Sequence, residues 1–183
     1  MSFMEILKNT GRHYRPTLLV LALLAFVTLF VTVSCGPQVI KGRPPFVSIS
    51  DMKMDGETLL TEFDISNQNG VTMTTESVEI TVMVNTTELV RFSSRESIEI
   101  VANSTEEVNI EDTPDDFTRN LLTSLDDGRL KSLAFDLKAT VVTGEDGRLL
   151  SEHTGYLYPV PGRPGSYRSA VTQAKGLVRD DHL

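Results

Sequence analysis

Few side chains in this sequence are spaced to do chemistry together. The single cysteine, Cys35, sits where a long apolar run ends, and the three histidines, His13, His153 and His182, are scattered along the chain. A zinc site or a Cys–His nucleophile needs such groups to converge, and nothing in their spacing brings them together. The sequence also lacks a P-loop, a Gly-x-Gly-x-x-Gly run and a Gly-x-Ser-x-Gly elbow. Asp112, Asp115, Asp116, Asp126 and Asp127 bracket a helical segment, but without the Asp-x-Asp-x-Asp-Gly order of a calcium loop. Helix-end charge and turn formation account for them. Asn85-Thr86-Thr87 and Asn103-Ser104-Thr105 match glycosylation sequons. Met52, Met54, Met73 and Met83 read as gap-filling core. The expectation is a chain with no catalytic, metal-ligating or cofactor-binding residues, and not an enzyme.

The compartment is written at the other end. Thr17 to Val33 is an uncharged apolar run of seventeen residues, preceded by Lys8, Arg12 and Arg15 and followed by Ser34, Cys35 and Gly36. A basic end, an apolar span and small residues form the order of an export signal. A spanning helix needs about 20 apolar residues, with ~17 the lower edge, so length alone leaves a cleaved signal and a retained anchor both open. Thr32-Val33-Ser34-Cys35 resembles a bacterial lipobox, with Thr32 where leucine is usual. The resemblance implies cleavage before Cys35 and lipid on its thiol, with acyl chains contributing about 0.8 kcal/mol per buried methylene. Gly36 after the cysteine, rather than Asp, implies the periplasmic side of the outer membrane if the cell has one.

Removing residues 1–34 leaves enough chain for one domain with its own core. Once Lys8, Arg12, Arg15 and Glu5 are taken from totals of 17 basic and 25 acidic residues, 14 face 24, a net charge of −10. That sign repels nucleic acid, which needs clustered Lys and Arg. Residues 35–45, with three prolines in Pro37–Pro45, read as the modified cysteine and an extended spacer.

From Phe46 the apolar period becomes two. Val47 and Ile49 alternate with serines, then Met52 and Met54 resume out of phase, which predicts a bulge near Ser50-Asp51. Asp55-Gly56 signals a hairpin. Leu59, Thr61, Phe63 and Ile65 should face a core, as should Val78, Ile80, Val82 and Val84, and later Leu133, Phe135, Leu137, Ala139 and Val141. One short helix is expected after Thr113-Pro114, with Thr113 able to cap it and a stripe of Phe117, Leu121, Leu122 and Leu125. A last strand runs Leu149 to Tyr158. Residues 159–183, rich in Pro and Gly at their start, read as a flexible tail. Turns every 8–12 residues predict an all-β antiparallel sandwich over 46–158.

Within it, FDISNQNGVTMTTESVEITVMVNTTELV resembles the type-2 late embryogenesis abundant domains, also called water-stress and hypersensitive-response domains. Their Asn-Pro-Asn signature corresponds here to Asn67-Gln68-Asn69. The resemblance spans about Phe46 to Tyr158 and implies a fibronectin-III-like sandwich without a catalytic centre. It is linked to dehydration stress and, in bacteria, often to exported proteins or lipoproteins. Asn67 and Asn69 are read as turn-formers that satisfy nearby backbone. The expected function is a membrane-anchored envelope lipoprotein acting as a stress-protection or protein-interaction module. It would contact the membrane through Cys35 and an envelope protein through loops or sheet edges. The alternative is a carrier of an apolar ligand such as a lipid, opened on the helix side and lined by Phe117, Leu121, Phe135 and the methionines.

Overall fold

Alternation of apolar and polar residues builds nearly every element. The computed structural model describes residues 41–175; the leader 1–34, Cys35 and residues 176–183 lie outside them. The strands are β1 (Phe46–Asp55), β2 (Thr58–Ser66), β3 (Met73–Val84), β4 (Thr87–Ser94), β5 (Glu99–Ile100) and β6 (Thr105–Asp112), then β7 (Leu133–Thr143), β8 (Gly147–Pro159) and β9 (Ser166–Lys175). Helix α1 (Asp116–Asp126) separates β6 from β7. The domain is all-β, and every strand pair is antiparallel.

The strands form one path, β4-β3-β7-β8-β9-β1-β2-β6, with β5 added to the start of β3. Leu59, Thr61, Phe63 and Ile65 are all buried, as are Val78, Ile80, Val82 and Val84. So are Leu133, Phe135, Leu137, Ala139 and Val141, and these rows meet in one hydrophobic core. Each fully buried Leu, Ile or Phe contributes about 1.5–3 kcal/mol. The register of β1 on β2 shifts between Ile49 and Asp51, which returns Met52 to the inside. That is the bulge the sequence predicts.

Residues 159–183 do not behave as a flexible tail as far as Lys175. Pro159–Ser166 turns through backbone bonds from Val160 N–H to the Ser166 carbonyl and from Arg163 N–H to the Val160 carbonyl. β9 then pairs along most of its length with β8. It also meets β1 through Met52–Tyr167 and Lys53–Ser166. Tyr167 is fully buried, and Ser169 Oγ donates to the Ile49 carbonyl at 2.6 Å. Tyr167 and the half-buried Val171 are the strand's main apolar anchors, too thin an alternation to see in sequence. The spacer is likewise shorter than its Pro content implies, since Pro44 and Pro45 are buried.

The helix is capped two residues later than Thr113. Asp115 is the N-cap and accepts from Thr118 N–H at 2.8 Å, which holds its carboxyl below the usual range. Its inward face carries Thr118, Leu122 and Leu125, while Phe117 is 47% exposed. Tyr167 docks the helix, its hydroxyl donating to Asp126 Oδ2 at 2.9 Å. Burial first, and the hydrogen bond to Asp126 second, push that phenol well above its ordinary range. At Gly155 an added Cβ would stand 2.5 Å from the Ala170 carbonyl oxygen and 2.7 Å from the Phe135 ring, so only glycine fits.

Candidate functional site

The turn that follows β2 is organised by two buried amides. Asn67 and Asn69 are each 2% exposed, whereas Gln68 between them faces water. Asn67 Oδ1 accepts from Asn69 N–H at 2.9 Å, closing the turn locally. Its Nδ2 donates to the carbonyls of Val71 at 2.8 Å, Ile100 at 3.0 Å and Val101 at 3.2 Å. Asn69 reaches the other way. Its Oδ1 accepts from Arg43 N–H at 2.9 Å and its Nδ2 donates to the Arg43 carbonyl at 2.8 Å. One side chain thus pairs with a residue's backbone as a neighbouring strand would. Asn103, at φ 55°, donates its N–H to the Asn69 carbonyl and completes the knot. The sequence correctly marks both asparagines as satisfying backbone, but three of their partners, Arg43, Ile100 and Val101, lie far along the chain.

Beside this knot opens a cavity of about 450 Å³, lined among others by Asn69, Met73, Glu76, Arg95, Glu145 and Asp146. Met73 is part of the core, while Glu76, Arg95 and Glu145 are exposed. The buried hydroxyls here are already occupied: Thr143 Oγ1 accepts from Asp146 N–H and Thr75 Oγ1 from Ile98 N–H. No histidine, cysteine or lysine is among the lining residues. The arrangement could admit a small polar molecule with one apolar edge, and it holds no nucleophile beside a base.

The residues proposed to line an apolar carrier site do not do so in that form. Phe117 faces solvent, Phe135 is buried in the core against Gly155, and Met52 is fully buried in β1. The cavity lies instead at the other end of β3's long neighbour β7, beside the Thr143–Asp146 turn. The helix-end aspartates serve structure: Asp115 caps α1, Asp126 also accepts from Gly165 N–H, and Asp127 pairs with Arg129.

Two groupings escape the sequence. Glu62, Asp64 and Glu107 bring carboxylate oxygens within 4.8 Å of one another. Asp64 and Glu107 are cross-strand partners on β2 and β6, so strand pairing alone creates the cluster. It could accept a cation, though Ser50 Oγ already donates to Glu62. The second is His153, buried in β8, where its Nε2 bonds Ser151 Oγ at 2.8 Å and its ring packs on Phe46 at 4.5 Å. Nδ1 has no partner among the described residues, and burial pushes the imidazole below its ordinary range. Knowing beforehand that position 153 points inward would have revealed it.

No known family model matches the chain, and no curated protein matches it. Among solved structures, a protein from Archaeoglobus fulgidus is 10% identical over 74% of this chain and 98% of its own, at a TM-score of 0.35. Wild-type OgpA from Akkermansia muciniphila is 11% identical over 64% of this chain, at a TM-score of 0.31. The chain spans 29% of OgpA's length.

Proposed function

We propose that this chain is a membrane-tethered, non-catalytic β-sandwich module of the cell envelope, similar to the type-2 late embryogenesis abundant domains and held by lipid on Cys35. Its role is stress protection through contacts with other envelope proteins. The observation that carries this reading is the double amide turn. The two asparagines that match the family signature are spent on the domain's own backbone, Asn69 on Arg43 and Asn67 on Ile100 and Val101. Such a motif is a structural fastening, as expected where the signature marks a fold and not a reaction. Arg43 is fixed close to the position where the spacer meets β1, which suits a body carried near its tether.

Partners are met at the sheet ends. β6 closes the path on one side with Glu107, Asn109 and Glu111 exposed, and β4 closes it on the other. A free strand edge offers unpaired backbone groups to an incoming strand. Acidic side chains along β6 discourage a second copy of itself and favour a basic partner. The half-polar lining of the 450 Å³ cavity gives the apolar-carrier alternative less support.

The test is Cys35→Ala in cells fed a clickable palmitate. Loss of label with accumulation of the longer precursor is expected. Equal labelling and migration of parent and variant would remove the anchor from the account.

A further inference from the structure

On the outward face of β8, Tyr156 is 39% exposed. Its cross-strand neighbours are Ala134 on β7 and Ala170 on β9. Neither directly opposed residue carries more than a methyl group, and the ring's aromatic neighbour is Tyr158, at 6.3 Å between centroids and tilted by 49°. Tyr158, two residues on, differs. Its partner on β9 is Arg168, whose guanidinium carbon stands 6.0 Å from the ring centroid. The cation lies over Tyr158, and Tyr156 keeps the more exposed ring of the two.

A cleft of about 260 Å³ runs beside the Tyr156 ring, lined by Asn85, Thr86, Asp136, Thr154, Tyr156 and Thr172 among others. Apart from the ring, these six supply an amide, a carboxylate and three hydroxyls. Lys138 and Glu152 on the same face bind each other at 3.3 Å, while Asp136 makes no ion pair among the described residues. At the rim, Asn85 and Thr86 have φ of 47° and 71°. A β-branched residue rarely adopts that backbone, and such strain gathers where a loop's shape serves binding.

We propose that this cleft binds a neutral carbohydrate, with a sugar ring stacked on Tyr156 and its hydroxyls held by Asp136, Asn85 and Thr86. The C–H face of a pyranose is apolar and suits an open aromatic face, while vicinal hydroxyls donate well to a carboxylate. An apolar ligand would leave the amide, carboxylate and hydroxyls unpaired as it displaced their water. An anionic sugar would meet Asp136 and the chain's negative field. The site goes beyond the envelope reading and stands without it, because its residues are remote in sequence from Cys35.

Full-length protein in detergent micelles, titrated with cellotetraose, chitotetraose and maltotetraose, tests the proposal by calorimetry and saturation-transfer NMR. Saturable binding of at least one is expected, weakened about tenfold or more by Tyr156→Ala and by Asp136→Asn, and unchanged by Arg129→Ala, an exposed position away from the cleft. Melting temperatures alongside separate lost binding from lost folding, and Asp136→Asn carries the readout if Tyr156→Ala folds poorly. Cys35→Ala should bind sugar as the parent does, so a failed anchor and a failed sugar site are distinguishable. Absence of saturable binding to all three sugars, binding indifferent to Asp136→Asn in a normally melting variant, or occupation of the cleft by an unstructured peptide instead would overturn it.

Discussion

Two asparagine turns bracket β3, and they use the same residue type in opposite ways. In the turn before it, Asn67 and Asn69 are buried, and their amides pair with the Arg43 backbone and donate to the carbonyls of Val71, Ile100 and Val101. In the turn after it, Asn85 is exposed, and what matters is its tolerance of positive φ. The first turn takes its specificity from side-chain hydrogen bonds, the second from backbone geometry. An Asn in a turn therefore says little about its task until its burial is known.

Asn67→Ala should give the largest effect. It removes the amide donor to the Val71, Ile100 and Val101 carbonyls and the cap on Asn69 N–H, at a cost of about 3 kcal/mol. Urea unfolding measures it, and a loss under about 0.5 kcal/mol would show that the knot is incidental. Asn69→Ala should cost less, about 2 kcal/mol, because Arg43 is exposed and water can replace one bond. Amide exchange at Arg43 should quicken by more than the global stability loss explains; unchanged protection there would mean the spacer is held by something else. Thr86→Gly should have the smallest effect and the opposite sign. Relieving a β-branched residue at φ 71° should stabilise the domain by about 1 kcal/mol while weakening any sugar bound at the rim. Destabilisation by that change would erase the contrast between the two turns.

Much of the sheet was legible because alternation is a local signal. Phe63 and Ile80 could be placed inside from their neighbours alone, and the slip after Ile49 announced its bulge. The helix was legible as an element but not in its rotation. Phe117 fits the apolar stripe by spacing, yet the face that is buried is the one carrying Thr118, Leu122 and Leu125. β9 was missed because its burial rests chiefly on Tyr167 and Val171, with Ser169 bonded to β1 where an apolar residue would have shown. The candidate sites were less legible still. Asn67 and Asn69 were visible as a motif, but Arg43 and Ile100 became their partners only through the topology. The exposure of Tyr156 depends on Ala134 and Ala170, which no window of sequence places beside it.

The position of β9 also bears on how the protein is made. It is the link between β8 and β1, and so between the half of the sheet holding β3, β4 and β7 and the half holding β2 and β6. All the other described strands leave the ribosome before it. Until Ser166–Lys175 arrives, the halves have no shared strand, and Tyr167 is not there to meet Asp126. Assembly is thus keyed to a late segment, which delays closure of the body until β9 has been made.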